Sequence, residues 1–160
     1  MSHPSLGLPH RDLTAGHPAD AAGIRAAAGR LAARSLERAI DADPEFRGRY
    51  SDLALRELLA DTEALAERLA TAVASNDPAL LGSFAEHLAP RYRKRLVPMD
   101  DVIALCEGLR SGVRTVVTPA SGSVVDAAVD AAVAALKWHR RLGGDARKRN
   151  AFIAFIYKGA

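Results

Sequence analysis

The chain has one cysteine, few aromatic residues and no apolar run long enough to span a bilayer. Cys106 stands alone, so no disulfide forms within the chain, and the cysteine usage fits a reducing cytoplasm. Aromatics make up 5% of the residues, which rules out a core built on rings. No uninterrupted apolar stretch approaches the roughly 20 residues of a membrane-crossing helix. Phosphate-binding glycine loops, dinucleotide fingerprints and nucleophile elbows are also missing. The amino terminus, MSHPSLGLPHRDLTAGHP, lacks the basic-then-apolar order of a signal peptide.

Alanine, leucine, arginine and glutamate are plentiful, and these side chains lose little freedom in a helix. The 160 residues suit one domain with a real core. Residues 1–17 are rich in Pro, Gly and His without periodicity and read as a flexible arm. Residues 18–142 read as the helical domain, and 143–160 as a basic and apolar tail or a final helix. The fold class is all-α, a five- or six-helix bundle, with a globin-like arrangement as one form of it.

Pro18 opens a first helix that Asp43-Pro44 stops. Arg47–Tyr50 is read as a short connection. Ser51 caps a second helix, with Leu55, Leu58, Leu65, Leu69 and Val73 on one stripe. Asp77-Pro78 starts a third, in which Pro90 predicts a kink or split. Pro98 opens a fourth with Val102, Cys106, Leu109, Val113 and Val116 inward. Ser123 is the expected cap of a fifth, whose apolar positions run from Val124 to Leu136 and extend to Trp138. That helix is small-residue and apolar on more than one face. A face left uncovered in a monomer predicts a homodimer.

No candidate catalytic residue emerges, and the chain reads as a non-enzyme. Asp100 and Asp101 are neighbours on a helix and point about 100° apart, so they do not share a proton. They suit the positive end of a helix start instead. His3, His10 and His17 lack the spacing of a metal site, and no cofactor is expected. His87 is the one residue weighed as a cofactor ligand, because a single helix-borne His can hold haem. Cys106 reads as an inert core thiol.

Charge is uneven along the chain. Arg91, Arg93, Lys94 and Arg95 form one basic cluster; Lys137, Arg140, Arg141, Arg147, Lys148 and Arg149 form another. The first is a candidate anion contact, or simply a set of cations at a helix C-terminus. With few aromatics to stack on bases, nucleic acid is not the expected partner. The tail carries Phe152, Ile153, Phe155, Ile156 and Tyr157 behind Lys148 and Arg149. It reads as a partner-docking element, with a protein partner expected and peripheral membrane contact as the alternative.

From about Leu36 to Val117 the sequence resembles the helical N-terminal sensory domain of RsbT co-antagonist proteins, the RsbR type. The acid-rich second helix, the segment SNDPALL, and the run YRKRLVPMDDVIALCEGLRSGV carry the resemblance. Met99 stands where that family usually has Leu. The resemblance implies a non-enzymatic bundle or globin-like domain without haem that dimerises and relays a signal. The forty or so residues after the matching segment are too few for the output domains that follow it in that family. The expectation is therefore a stand-alone sensor, an adaptor, or a subunit recruited by a larger complex, either cytoplasmic or at a membrane.

Overall fold

The computed structural model describes residues 15–143. They form five α-helices: α1 (Pro18–Ala42), α2 (Asp52–Ser75), α3 (Ala79–Lys94), α4 (Met99–Val113) and α5 (Gly122–Gly143). Short 3-10 turns, Arg47–Arg49 and Pro119–Ser121, precede α2 and α5. Among the described residues there is no strand, and the all-α bundle is what the periodicity predicts.

Cross-helix contacts give the topology. Arg25 pairs with Glu67, and an added side chain on Gly29 would meet Glu63, so α1 and α2 run antiparallel. Asp20 bonds Thr118 and Gly108 lies against Ser35, so α1 and α4 do as well. Arg140 reaches Asp100, and Arg110 reaches Asp126, which sets α4 antiparallel to α5. In contrast, α3 and α5 are parallel: Gly82 abuts Ala131, and Arg93 abuts His139 and Gly143. The helices go up, down, up, down, up, in a ring whose order is α2, α1, α4, α5, α3 and back to α2.

The helix boundaries follow local chemistry. Ser51 caps α2, its hydroxyl accepting from the Ala54 amide at 3.2 Å. Asp77 accepts from the Ala79 amide at 3.2 Å, although Pro78 occupies the formal cap position. Both α2 and α3 end in a left-handed residue with paired closing bonds. In α2 the residue is Asn76, at φ 49°, with Asp77 N–H donating to Ala72 and Asn76 N–H to Val73. In α3 it is Leu96, at φ 57°, with Val97 donating to Tyr92 and Leu96 to Arg93. Asn tolerates that geometry; a leucine there is uncommon.

Three expectations are corrected. Pro90 neither splits nor ends α3, which continues to Lys94. Pro90 and Glu86, whose carbonyl loses its i+4 partner, are both exposed residues. Ser123 lies inside α5, because the preceding 3-10 turn supplies the start. The fourth helix stops at Val113, and Val116 packs half-buried from the following turn. The arm expected over residues 1–17 lies outside the described residues up to Thr14. Within it, the His17 amide donates to the Val73 carbonyl at 2.9 Å and fixes the entry to α1.

One core joins all five helices. Leu58, Leu65, Leu69, Val102, Cys106, Leu109 and Val113 are buried as expected; Phe84 is half-buried, with the Arg68 guanidinium over its ring at 4.9 Å. Both flanks of the α5 stripe are used: Val124, Val125, Ala128, Val129, Ala132, Val133 and Leu136 are all buried within one chain. The apolar face from which a dimer was expected is thus covered by α3, α4 and α2. The segment Pro119–Gly143 is long and apolar enough to cross a membrane by composition, and half of its apolar window is buried in the bundle.

Close packing depends on glycine where α1 crosses α4. A Cβ on Gly108 would sit 2.8 Å from the Cα of Ser35 and 2.9 Å from its Cβ. A Cβ on Gly48 would meet nothing within 4 Å. Gly108→Ala should therefore cost about 1–3 kcal/mol through overpacking, while Gly48→Ala should stay within about 0.5 kcal/mol. Chemical denaturation of the two variants checks the contrast.

Candidate functional site

The polar groups inside the bundle are arranged as ties, one at each end and two along the sides. At the lower end Asp20, in the first turn of α1, is buried. It accepts from the Thr118 amide at 3.0 Å, the Thr118 hydroxyl at 2.6 Å and the Ser121 hydroxyl at 2.7 Å. These hydroxyl bonds hold its carboxyl below the ordinary value. At the upper end Asp101, 2% exposed, accepts from Arg49 Nε at 3.0 Å, Arg49 Nη2 at 2.8 Å and the Tyr50 hydroxyl at 2.5 Å. Arg49 Nη2 also reaches Asp43 at 2.8 Å. Phe46, buried beside Tyr50 with ring centroids 5.2 Å apart, plugs the loop below them.

The loop read as a mere connection is therefore the junction between α1, α2 and α4. Asp100 and Asp101 diverge as their spacing requires: Asp100 meets Arg140 at 2.5 Å while Asp101 faces Arg49. Along the sides, Arg95 joins α3 to α2 through Asp61 at 2.6 Å and Glu57 at 2.9 Å. Arg110 joins α4 to α5 through Asp126 and Asp130. Every one of these groups works inside the scaffold. Arg95, expected among the anion contacts, is engaged by the carboxylates of Asp61 and Glu57.

The remaining candidates sort as follows. His87 is exposed on the outer side of α3, and neither described groove includes it. One shallow groove of about 270 Å³ is lined by Arg38, Ala39, Ala42, Ala104, Glu107 and Gly108; another, of about 380 Å³, lies against Phe84 and Arg68. Cys106 is fully buried, and burial pushes its thiol up to about 12, which suits a core residue rather than a nucleophile. Among the described residues no group of three or more His, Cys, Asp and Glu is placed to hold a metal ion. Phe152, Ile153, Phe155, Ile156, Tyr157, Lys148 and Arg149 lie outside the described residues.

The first basic cluster and the described members of the second, Lys137, Arg140 and Arg141, lie more than forty positions apart in the chain and meet in space. Because α3 and α5 are parallel, their C-terminal turns end side by side. Arg93 Nη2 lies 2.8 Å from His139 Nδ1 and donates to the His139 carbonyl at 3.2 Å. Two negative dipole ends are thus adjacent, and cations complement them. Arg91, Lys94, Lys137 and Arg141 are exposed there, and none has a carboxylate partner among the described residues.

Apolar side chains share that end. Four large hydrophobic residues are exposed among the described residues: Leu53 in the first turn of α2, Leu96 at the α3 terminus, and Trp138 and Leu142 in the last turns of α5. All four belong to the same end of the bundle. Trp138 was expected at the inner stripe of α5 and instead is 55% exposed. It lies past the last inward position, Leu136, and one turn before Leu142. No protein-family model matches the chain, and no curated protein matches it.

Asp20 yields a pH prediction. Its folded-state pKa is lowered, so its stabilisation is complete above the ordinary value of 3.8 and is lost as pH falls through the folded pKa. Asp20→Asn should melt below the parent protein at pH 7. The gap should narrow as the pH drops below about 4, where the parent loses the same charge. A gap that stays constant from pH 7 to pH 3 would show that the charge of Asp20 does not hold the α4–α5 connection.

Proposed function

We propose that this chain is a non-enzymatic helical docking module, a regulatory or adaptor protein that works by surface contact through the end of the bundle where α3 and α5 terminate. One observation carries this reading. The buried carboxylates and their arginine partners tie helices together, while all four large hydrophobics exposed among the described residues gather at one end, beside Arg91, Lys94, Lys137 and Arg141. Monomeric proteins scatter such side chains singly; a cluster rimmed by charge is the mark of an interaction surface.

The resemblance to the sensory domain of RsbT co-antagonist proteins supports the regulatory side of this reading. A homodimer would need a face other than the inner stripe of α5. A cofactor-binding sensor built on His87 has no support from its position on the outside of α3.

The test maps contacts without assuming the partner. Photo-crosslinking residues introduced at Arg91 and Leu142, and at Arg30 and Ser123 as distant exposed controls, are expressed in the native host. Adducts should form from the first pair and be absent or much weaker from the second. Equal adducts from both pairs, or adducts from the controls alone, would refute the assignment.

A further inference from the structure

The composition of this end narrows the class of partner. It combines cations with aliphatic and indole side chains, and the carboxylates nearest to it are neutralised. Asp52 pairs with Arg47, Asp100 with Arg140, and Glu57 with Arg95. Asp41 and Glu45 lie on the α1 side, across the ring from α3 and α5. What faces outward beyond the α3 and α5 termini is positive and apolar together.

Resting on the docking assignment above, we propose that this end seats on an anionic phospholipid bilayer. Trp138, Leu142, Leu96 and Leu53 enter the interface, and Arg91, Lys94, Lys137 and Arg141 meet the headgroup phosphates. An indole is suited to the headgroup level, with its apolar ring inward and its N–H outward. Leucines gain from leaving water there, whereas a nucleic-acid surface offers them little, because single-strand recognition relies on stacking rings. Here three of the four exposed apolar groups are leucines. Cations near an anionic leaflet add attraction that salt screens. A single acyl or apolar anchor binds weakly, and a basic patch beside it makes attachment stable.

Leu96 supplies a separate argument. It occupies the left-handed closing position of α3, at φ 57°, where glycine is preferred. The bonds that close the helix need only its backbone. Its side chain is 57% exposed and so gains little burial in the folded chain to offset the strained backbone. A bulky apolar residue kept at that cost is explained if the side chain acts outside the fold.

Trp138 is the only tryptophan, so the fluorescence of the intact chain reports on this surface directly. Vesicles of phosphatidylcholine with phosphatidylglycerol should bind the protein, shift the emission of Trp138 to the blue, and quench it when the acyl chains are brominated. Pure phosphatidylcholine should do neither. Lys94→Glu/Arg141→Glu should weaken binding at least about tenfold. Arg30→Glu/Arg34→Glu, the same charge change at exposed positions on α1, should alter it little. Leu96→Gly should weaken vesicle binding while leaving the melting temperature equal or higher. If the Glu pair fails to fold by circular dichroism, Lys94→Gln/Arg141→Gln replaces it.

The proposal is overturned by absence of binding to anionic vesicles, by binding that leaves Trp138 unquenched, or by equal loss from the two charge-reversed pairs. Binding of single-stranded RNA or of an acidic peptide through Lys94 and Arg141, without vesicle binding, overturns the bilayer and leaves the docking surface standing. Crosslinks that avoid this end overturn the docking assignment itself.

Discussion

The close approach of α3 and α5 determines what one end of this bundle presents to its surroundings. Gly82 lies against Ala131 so tightly that an added Cβ would come within 3.0 Å of the alanine methyl and 3.3 Å of its backbone. Small residues at that crossing let two parallel helices touch along their length. Parallel neighbours end together, so two sets of unsatisfied carbonyls and two partial negative charges fall side by side. Cations in the last turns of both helices offset that field. The basic end is thus first a requirement of the topology. Its apolar members are not: no dipole argument calls for an exposed indole or three exposed leucines.

The ends of the bundle are closed by two buried carboxylates with different partners. Asp20 is satisfied by hydroxyls and an amide, Asp101 by a guanidinium and a phenol. Each ties the start of one helix to a connection that is distant in sequence. Arg95 and Arg110 do the same along the sides. Ionisable groups held this way brace the ring of helices, and little polar chemistry is left over inside. Of the residues the scaffold does not use, exposed arginines also lie on α1 and α2, but the large exposed hydrophobics among the described residues are all at the end where α3 and α5 finish.

Much of the fold was legible in the sequence, because helix periodicity and capping are local. The stripe from Leu58 to Leu69, the cap at Ser51, the turn at Asp77-Pro78 and the start at Pro98 are all read from neighbours within four positions. Pro90 does not split α3, and how far a helix tolerates an internal proline depends on exposure, which the sequence does not give. Trp138 misled because an apolar residue at the edge of a stripe is inward or outward according to where the bundle stops. The junction of Arg49 with Asp101 was missed. No spacing rule links positions 52 residues apart, although an Arg-Tyr pair in a short loop beside a helix cap is a signal worth pursuing. The two basic clusters were visible singly. That the first and the described part of the second share one end follows only from the parallel packing of α3 and α5, which a sequence of short loops does not reveal.

Side-by-side termini of α3 and α5 are the central claim, and a spin-label distance measurement tests it most directly. Labels at Lys94 and Arg141 report on the shared end; labels at Lys94 and Ser123 report on opposite ends of the bundle. The parallel arrangement predicts that the first distance is the shorter by roughly 20 Å, because α5 rises about 27 Å between its two labelled positions and neighbouring helices lie about 10 Å apart. An antiparallel arrangement of α3 and α5 would reverse the order, and a longer distance between Lys94 and Arg141 would contradict the account.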